Sequence, residues 1–287
     1  MHETTKLLLF DALKKINIKY IMTATAVVVF FVGIILLYYN MLYNEKRANI
    51  IQDREVTALE TAHSLHDYFA TSRDAVNITA FMLDTMLQDG RSNKEIQEYL
   101  VEQSAAISSS VVENSSGLYG YINGEFLDGA KWVPNENFVP TEWPWYTKTM
   151  ANDGAITRID PYYDVQTEQV VMAVGKGLAD GKGVVAMDMT LDKLQSITEE
   201  AVVSGNSDYE IILDSTYMVV AHSNPDEVGK NYRKEQGTFW SMLAKQLEAV
   251  DDGIIELEYK GENYIIYVAK IENDWRCLSI KNASAVF

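Results

Sequence analysis

The sequence predicts an α+β protein: an N-terminal transmembrane helix, a long membrane-proximal helix, and two modules in series, each built on an antiparallel sheet. Three observations carry this expectation. A charge-free run spans 20–43, the stretch 44–88 holds neither proline nor glycine, and from Gly117 onward short strands, turns and helices succeed one another twice.

The run YIMTATAVVVFFVGIILLYYNMLY, residues 20–43, is long enough to cross a hydrocarbon core of about 30 Å as a helix. Lys6, Lys14, Lys15 and Lys19 precede it, and only Lys46 and Arg47 follow closely, beside Glu45. The positive-inside bias therefore places 1–19 in the cytoplasm and the rest of the chain outside a cell membrane crossed once. Tyr20 at one end and Tyr38, Tyr39 and Tyr43 at the other stand where an interfacial aromatic belt belongs. The run is longer than a signal-peptide core and no small-x-small cleavage site follows it, so it reads as an uncleaved anchor.

Residues 44–110 read as two helices. Ile51, Ala58, Leu65, Phe69, Val76 and Leu83 recur at spacings of four or seven, the mark of one helix that breaks near Asp89 and Gly90. Ser92 and Glu95 then form an S-x-x-E capping box, starting a second helix that runs to about Ser110. His63 and His66 share a helical face, but no further ligands accompany them, so they read as solvated and no metal site is expected.

The first module is expected over 111–203. LYGYINGEFLDG is a hairpin with Asn123 and Gly124 at its turn, where positive φ is needed. An aromatic-rich loop follows from Trp132 to Tyr146, then strands VVMAVGKGLA and GVVAMDMT, then a helix from about Leu191 to Val203. Ser204, Gly205 and Asn206 mark a boundary. The second module, 207–281, repeats the pattern: strands YEIILDS and MVVAHS, helix FWSMLAKQLEAV, then strands GIIELEYK, ENYIIYVAKI and WRCLSIK. His222 falls in one of these strands and reads as structural.

Charge narrows the function. The formal net charge is -17, unevenly placed: residues 1–43 carry +2, and everything after them is strongly acidic. Such an ectodomain repels phosphate backbones and anionic lipid, which excludes nucleic acid as a partner and suits a cationic ligand. The lone Cys277 rules out an intrachain disulfide framework and a CxxC metal site. There is no G-x-S-x-G, H-E-x-x-H or G-x-x-x-x-G-K-[ST] motif; Glu199 with Glu200 and Asp251 with Asp252 are simplest as solvated surface. An exported enzyme is thus disfavoured, and no cofactor is expected.

The ordered segments WPWYTKTM, IDPYYDVQTEQVVMAVGKGL, GKGVVAMDMTLDKL and IILDSTYMVVAHSNPDEVGKNY together resemble the double Cache domain, the extracytoplasmic sensor of many bacterial chemoreceptors, histidine kinases and diguanylate cyclases. The resemblance covers nearly all of 44–281. It implies two PAS-like modules, the membrane-distal one, at about 110–195, holding the ligand. Members that bind amino acids clamp the carboxylate with the arginine of an R-x-W-Y motif, enclose the ligand with aromatics and hold its amino group with aspartates. Carried over, this implies Trp145 and Tyr146 for W-Y, Tyr162 or Tyr163 with Asp164 for a P-Y-x-D turn, and Asp188 for a strand aspartate. The arginine position is Trp143, and an indole cannot pair a carboxylate as a guanidinium does.

The candidate ligand-binding set is therefore Trp143, Trp145, Tyr146, Tyr162, Tyr163, Asp164 and Asp188, with Glu142 in a solvated loop. Aromatic faces beside carboxylates suit an ammonium group, so a small amine or amino metabolite is the expected ligand. Arg158 and Lys176 are the candidates for a displaced carboxylate partner. Other readings stay open: Trp145 and Tyr146 as core, Asp164 as a turn residue, Asp188 satisfied within the fold, or a ligand-free structural or protein-interaction ectodomain. A homodimer through the long helix is expected, as is either a truncated receptor or a stand-alone sensor; methyl-accepting, kinase and cyclase outputs are equally open.

Overall fold

A computed structural model describes residues 2–110, 115–271 and 274–284. Packing divides the chain into two compact units, one through Ile50 and one from Ile51 to Ser284. Helix α1 (His2–Gln88) enters both sequence ranges. In the first unit its apolar side chains face outward: Phe30 is 65% and Leu37 71% exposed. The helix is long and apolar enough to cross a membrane. Thr23 and Thr25 return their hydroxyls to the carbonyls of Lys19 and Ile21, each at 2.9 Å, which removes the cost of a bare hydroxyl in an apolar setting.

In the second unit α1 buries Ala58, Leu65, Phe69, Val76, Ala80 and Leu83, the stripe that the four- and seven-residue spacing foretells. It ends where Gly90 adopts φ +70°. The capping box is present: the Ser92 amide donates to Glu95 Oε2 at 2.9 Å and the Glu95 amide to Ser92 Oγ at 3.4 Å, opening α2 (Asn93–Ser110). Ile96 and Leu100 join the same core.

The first sheet comprises β1 (Ser115–Ile122), β2 (Glu125–Asp128), β3 (Thr157–Asp164), β4 (Gln169–Gly177) and β5 (Val184–Thr190), in the order β2-β1-β5-β4-β3. Asn123 (φ 49°) and Gly124 (φ 84°) make the β1–β2 turn. The central strand β5 is buried on both faces: Val185, Met187 and Met189 point to α1 and α2, while Val184 and Ala186 point the other way. Alternation puts Asp188 on that second face.

Two local expectations change. The aromatic stretch stays irregular over 132–139 but not to its end: Pro140–Glu142 forms a short 3-10 turn, and Pro144 occupies the first turn of α3 (Pro144–Ala151), where its missing N–H costs nothing. IDPYYD is not a turn but most of β3, an edge strand with a register shift between Ile159 and Tyr162. Pro161, which cannot donate to a ladder, is tolerated there because the strand is unpaired on one side and bulged.

After α4 (Asp192–Gly205), Asn206 turns left-handed at φ 51°. The second sheet holds β6 (Tyr209–Leu213), β7 (Val219–His222), β8 (Gly253–Tyr259), β9 (Glu262–Lys270) and β10 (Arg276–Asn282), ordered β7-β6-β10-β9-β8, with α5 (Phe239–Gln246) between β7 and β8. The two modules thus share one topology. The two antiparallel five-stranded sheets are the α+β architecture that the sequence predicts.

Candidate functional site

The α3 face of the first sheet brings the chemistry together. From β5, Asp188 projects beneath α3; from β1 and β3, Tyr119 and Tyr162 reach it. Tyr119 Oη donates to Asp188 Oδ1 at 2.6 Å and Tyr162 Oη donates to the same oxygen at 2.7 Å. The two hydroxyls stand 3.2 Å apart. Asp188 is 2% exposed. Burial pushes its pKa up to about 7, and the carboxylates of Asp164 and Asp128 push the same way; the tyrosine donors partly offset this. Burial beside Asp188 raises both tyrosine pKa values strongly, so both hydroxyls stay protonated donors.

Aromatic rings roof this carboxylate. Trp145, in the first turn of α3, is 3% exposed and meets Tyr119 edge-on at 5.2 Å. It sits this deep because α3 lies directly on β4: a Cβ on Gly175 would fall 2.2 Å from Thr149 Oγ1 and 3.1 Å from the Trp145 carbonyl. Phe126 packs at 5.0 Å from Phe138, which stacks on Trp143 at 5.6 Å. Outside that pair a groove of about 480 Å3 is lined by Asn135, Phe138, Val139, Glu142, Trp143 and Val165.

Of the residues expected from the sequence, Trp145, Tyr162 and Asp188 converge. Trp143 lies in the outer aromatic layer. Tyr146 is half-buried, edge-on to Tyr121 at 5.9 Å, and its hydroxyl donates to the Lys182 carbonyl at 3.0 Å. Tyr163, the alternative to Tyr162, is 57% exposed and outside the cluster. Asp164 accepts the Thr167 amide at 2.8 Å and hydroxyl at 2.7 Å, which binds its carboxylate into the β3–β4 turn. Glu142 is exposed. Tyr119, Tyr121, Phe126 and Phe138 were not singled out from the sequence; the alternation in LYGYI places both tyrosines of that strand on one face and was the available signal.

The two basic candidates are directed elsewhere. The Arg158 guanidinium lies over Phe69 (4.7 Å) and Trp275 (4.5 Å), and Lys176 Nζ donates to the Gly154 carbonyl at 3.0 Å. Among the described residues no group of three or more His, Cys, Asp or Glu is arranged to hold a metal ion. The corresponding face of the second sheet is apolar, with Ile211, Val268, Leu278 and Ile280 in its core. His222 is fully buried there, its Nδ1 accepts the Asn224 amide at 2.7 Å, and burial lowers its pKa to about 4.

The model of the Cache domain family matches residues 42–287. The methyl-accepting chemotaxis protein McpB of Bacillus subtilis is 32% identical over 157 residues, 52% of this chain and 23% of McpB. The chain spans about a quarter of the length of the curated relatives it matches. Among solved structures, the sensory domain of the Campylobacter jejuni chemoreceptor Tlp3 with isoleucine bound aligns at TM-score 0.67 and 13% identity, covering 85% of this chain and 97% of that one. The ligand-binding domain of the Pseudomonas aeruginosa amino acid chemoreceptor PctC in complex with GABA aligns at 0.62 and 19%, covering 78% and 96%. At these identities the likeness is one of fold.

Proposed function

Since this chain belongs to the Cache domain family, we propose that it is the extracytoplasmic small-molecule sensor of a membrane-anchored signalling receptor, and that its ligand carries an ammonium group. The observation that supports this most directly is Asp188, a buried carboxylate whose described donors are two neutral hydroxyls on one oxygen. An ammonium group arriving there gains a charge-assisted hydrogen bond and the faces of Trp145 and Tyr119. A ligand carboxylate gains less. Trp143 stands at the family's arginine position, and Arg158 and Lys176 engage other partners.

Residues 20–43 serve as the anchor, with the N-terminus inside and the sensor outside. A second copy pairs along α1, where Val56, Leu59, Ile78 and Phe81 are exposed on one face of the helix. The signal passes to methyl-accepting chemotaxis machinery, as the names of the relatives suggest.

Thermal melting of the full chain in detergent with butylamine, GABA, L-isoleucine or butyrate tests the ligand class. Butylamine and GABA raise the midpoint and butyrate does not; saturation to a hundred times Kd adds about 2.7 kcal/mol. Stabilisation by butyrate with none by butylamine, GABA or L-isoleucine overturns the ammonium reading.

A further inference from the structure

Strand β3 is gripped differently on its two faces. Ile159 packs with Trp145 in the aromatic layer above the carboxylate, and Tyr162 Oη donates to Asp188. The register shift between Ile159 and Tyr162 lets two residues three apart share that face, since an extra residue resets the alternation. Arg158 and Asp160 turn to the opposite side. There the Arg158 guanidinium is held between Phe69 of α1 and Trp275, whose rings meet edge-on at 5.9 Å. The Trp275 indole N–H donates to Asp160 Oδ1 at 3.3 Å.

Trp275 belongs to the second module. It is fully buried, its carbonyl accepts the Ile271 amide at 2.8 Å, and it leads directly into β10, the central strand of the second sheet. Strand β3, by contrast, ends its own sheet and has a ladder on β4 alone. A strand held on one edge and bulged in its middle shifts more readily than a central one, so contacts from outside the sheet weigh more in fixing it. A desolvated guanidinium–indole contact contributes a substantial attraction of this kind.

We infer that Trp275 is a positioning residue of the Asp188 site: through Arg158 and Asp160 it sets the placement of β3 and so the aim of the Tyr162 hydroxyl. The second module and the carboxylate are then linked, and a change at either end is felt at the other, as reciprocity of coupling requires. The linkage is a property of the fold; only its use in sensing rests on the ammonium reading.

The test is 19F spectroscopy of the full chain in lipid nanodiscs with its tryptophans replaced by 5-fluorotryptophan. Trp275→Phe assigns one resonance by its loss, and Trp145→Phe and Trp240→Phe assign two more. Asp188→Asn perturbs the site without a ligand, and Asp160→Ala perturbs the joint from an exposed position. The expected result is that Asp188→Asn shifts the Trp275 resonance by more than its line width, that Asp160→Ala shifts that of Trp145, and that Trp240 stays in place in both. A Trp275 line that stays put in Asp188→Asn while Trp145 moves overturns the inference, and so does a Trp240 line that moves together with Trp275. Because a substitution replaces the ligand here, failure leaves the ammonium reading to the melting series.

Discussion

Tyr162 and Asp188 meet at 2.7 Å from strands that are not neighbours: β3 and β5 are separated by β4, and the tyrosine reaches across it to a carboxylate oxygen already taken by Tyr119. The two donors on that oxygen favour the charged form and offset part of the burial, so the ionised form is available near neutral pH. Asp188→Asn keeps the shape and removes the charge. We expect it to weaken butylamine binding by about 1.5–3 kcal/mol, the range for hydrogen bonds to charged groups, with the fold intact. Tyr162→Phe removes one donor, so Asp188 titrates higher still and affinity at pH 7 falls less than in Asp188→Asn. Calorimetric titration of both variants checks the order; an Asp188→Asn protein that binds as tightly as the parent contradicts the assignment.

The same carboxylate shapes stability. Folded, Asp188 keeps its proton to about pH 7, against an ordinary value of 3.8; Glu210, likewise raised by burial, keeps its own to about 7 against 4.5. Between those limits the native state holds more protons than the unfolded one, so unfolding free energy falls as pH rises, by about 1.4 kcal/mol per unit for each group. His222 opposes them: its folded value of about 4 against 6.5 makes stability rise with pH in between. From 4.5 to 6.5 the sum is a fall worth one proton, which Asp188→Asn flattens. Denaturant titrations of the ligand-free protein across this window read the slope; an unchanged slope in Asp188→Asn means that Asp188 is ionised throughout.

Much of this was legible in the sequence, for identifiable reasons. Strict periodicity and strong punctuation located α1, the Ser92 capping box and the Asn123–Gly124 turn, all local features whose chemistry is complete within a few residues. Trp145, Asp188 and the alternatives Tyr162 and Tyr163 become candidates through ordered motifs, and the structure brings the first of those tyrosines to Asp188. What stayed hidden depends on distant partners. Pro161 reads as a turn residue until β4 is known to cover only one edge of β3. Tyr119 reads as one tyrosine among many until β5 pairs with β1 and sets Ala186 opposite it. Arg158 was a plausible ligand partner because sequence does not record on which side of a bulged strand a side chain emerges.

Arg54 and Glu210 supply a prediction about the second module. Arg54 Nη1 lies 3.8 Å from Glu210 Oε1 and 3.1 Å from Ser279 Oγ, and Nη2 donates to the Gly205 carbonyl. Arg54 is 2% and Glu210 0% exposed. Removing one partner of a buried pair strands the other charge, at a cost of about 3–5 kcal/mol. Glu210 protonates near 7, so Arg54→Ala is expected to cost most above pH 8 and clearly less at pH 6. The double variant Arg54→Met/Glu210→Leu removes both charges and recovers most of the loss. A loss in Arg54→Ala that is independent of pH refutes this account.

Gly175 offers a last test, of how the roof is held. Its missing Cβ is what lets α3 rest on β4, because the atom would fall 2.2 Å from Thr149 Oγ1 and 3.1 Å from the Trp145 carbonyl. Thr149 is itself pinned, its hydroxyl donating to that carbonyl at 2.7 Å. Gly175→Ala must therefore lift the helix or bend β4, at about 1–3 kcal/mol for overpacking. Lifting α3 raises Trp145 away from Tyr119 and Asp188, so butylamine affinity falls with stability. Thr149→Ala removes the nearer clash and leaves the carbonyl contact, so Gly175→Ala/Thr149→Ala recovers part of both losses, and the two substitutions are non-additive in a double-mutant cycle. Strict additivity, or a Gly175→Ala protein that binds butylamine as tightly as the parent, shows that α3 does not hold Trp145 over the carboxylate.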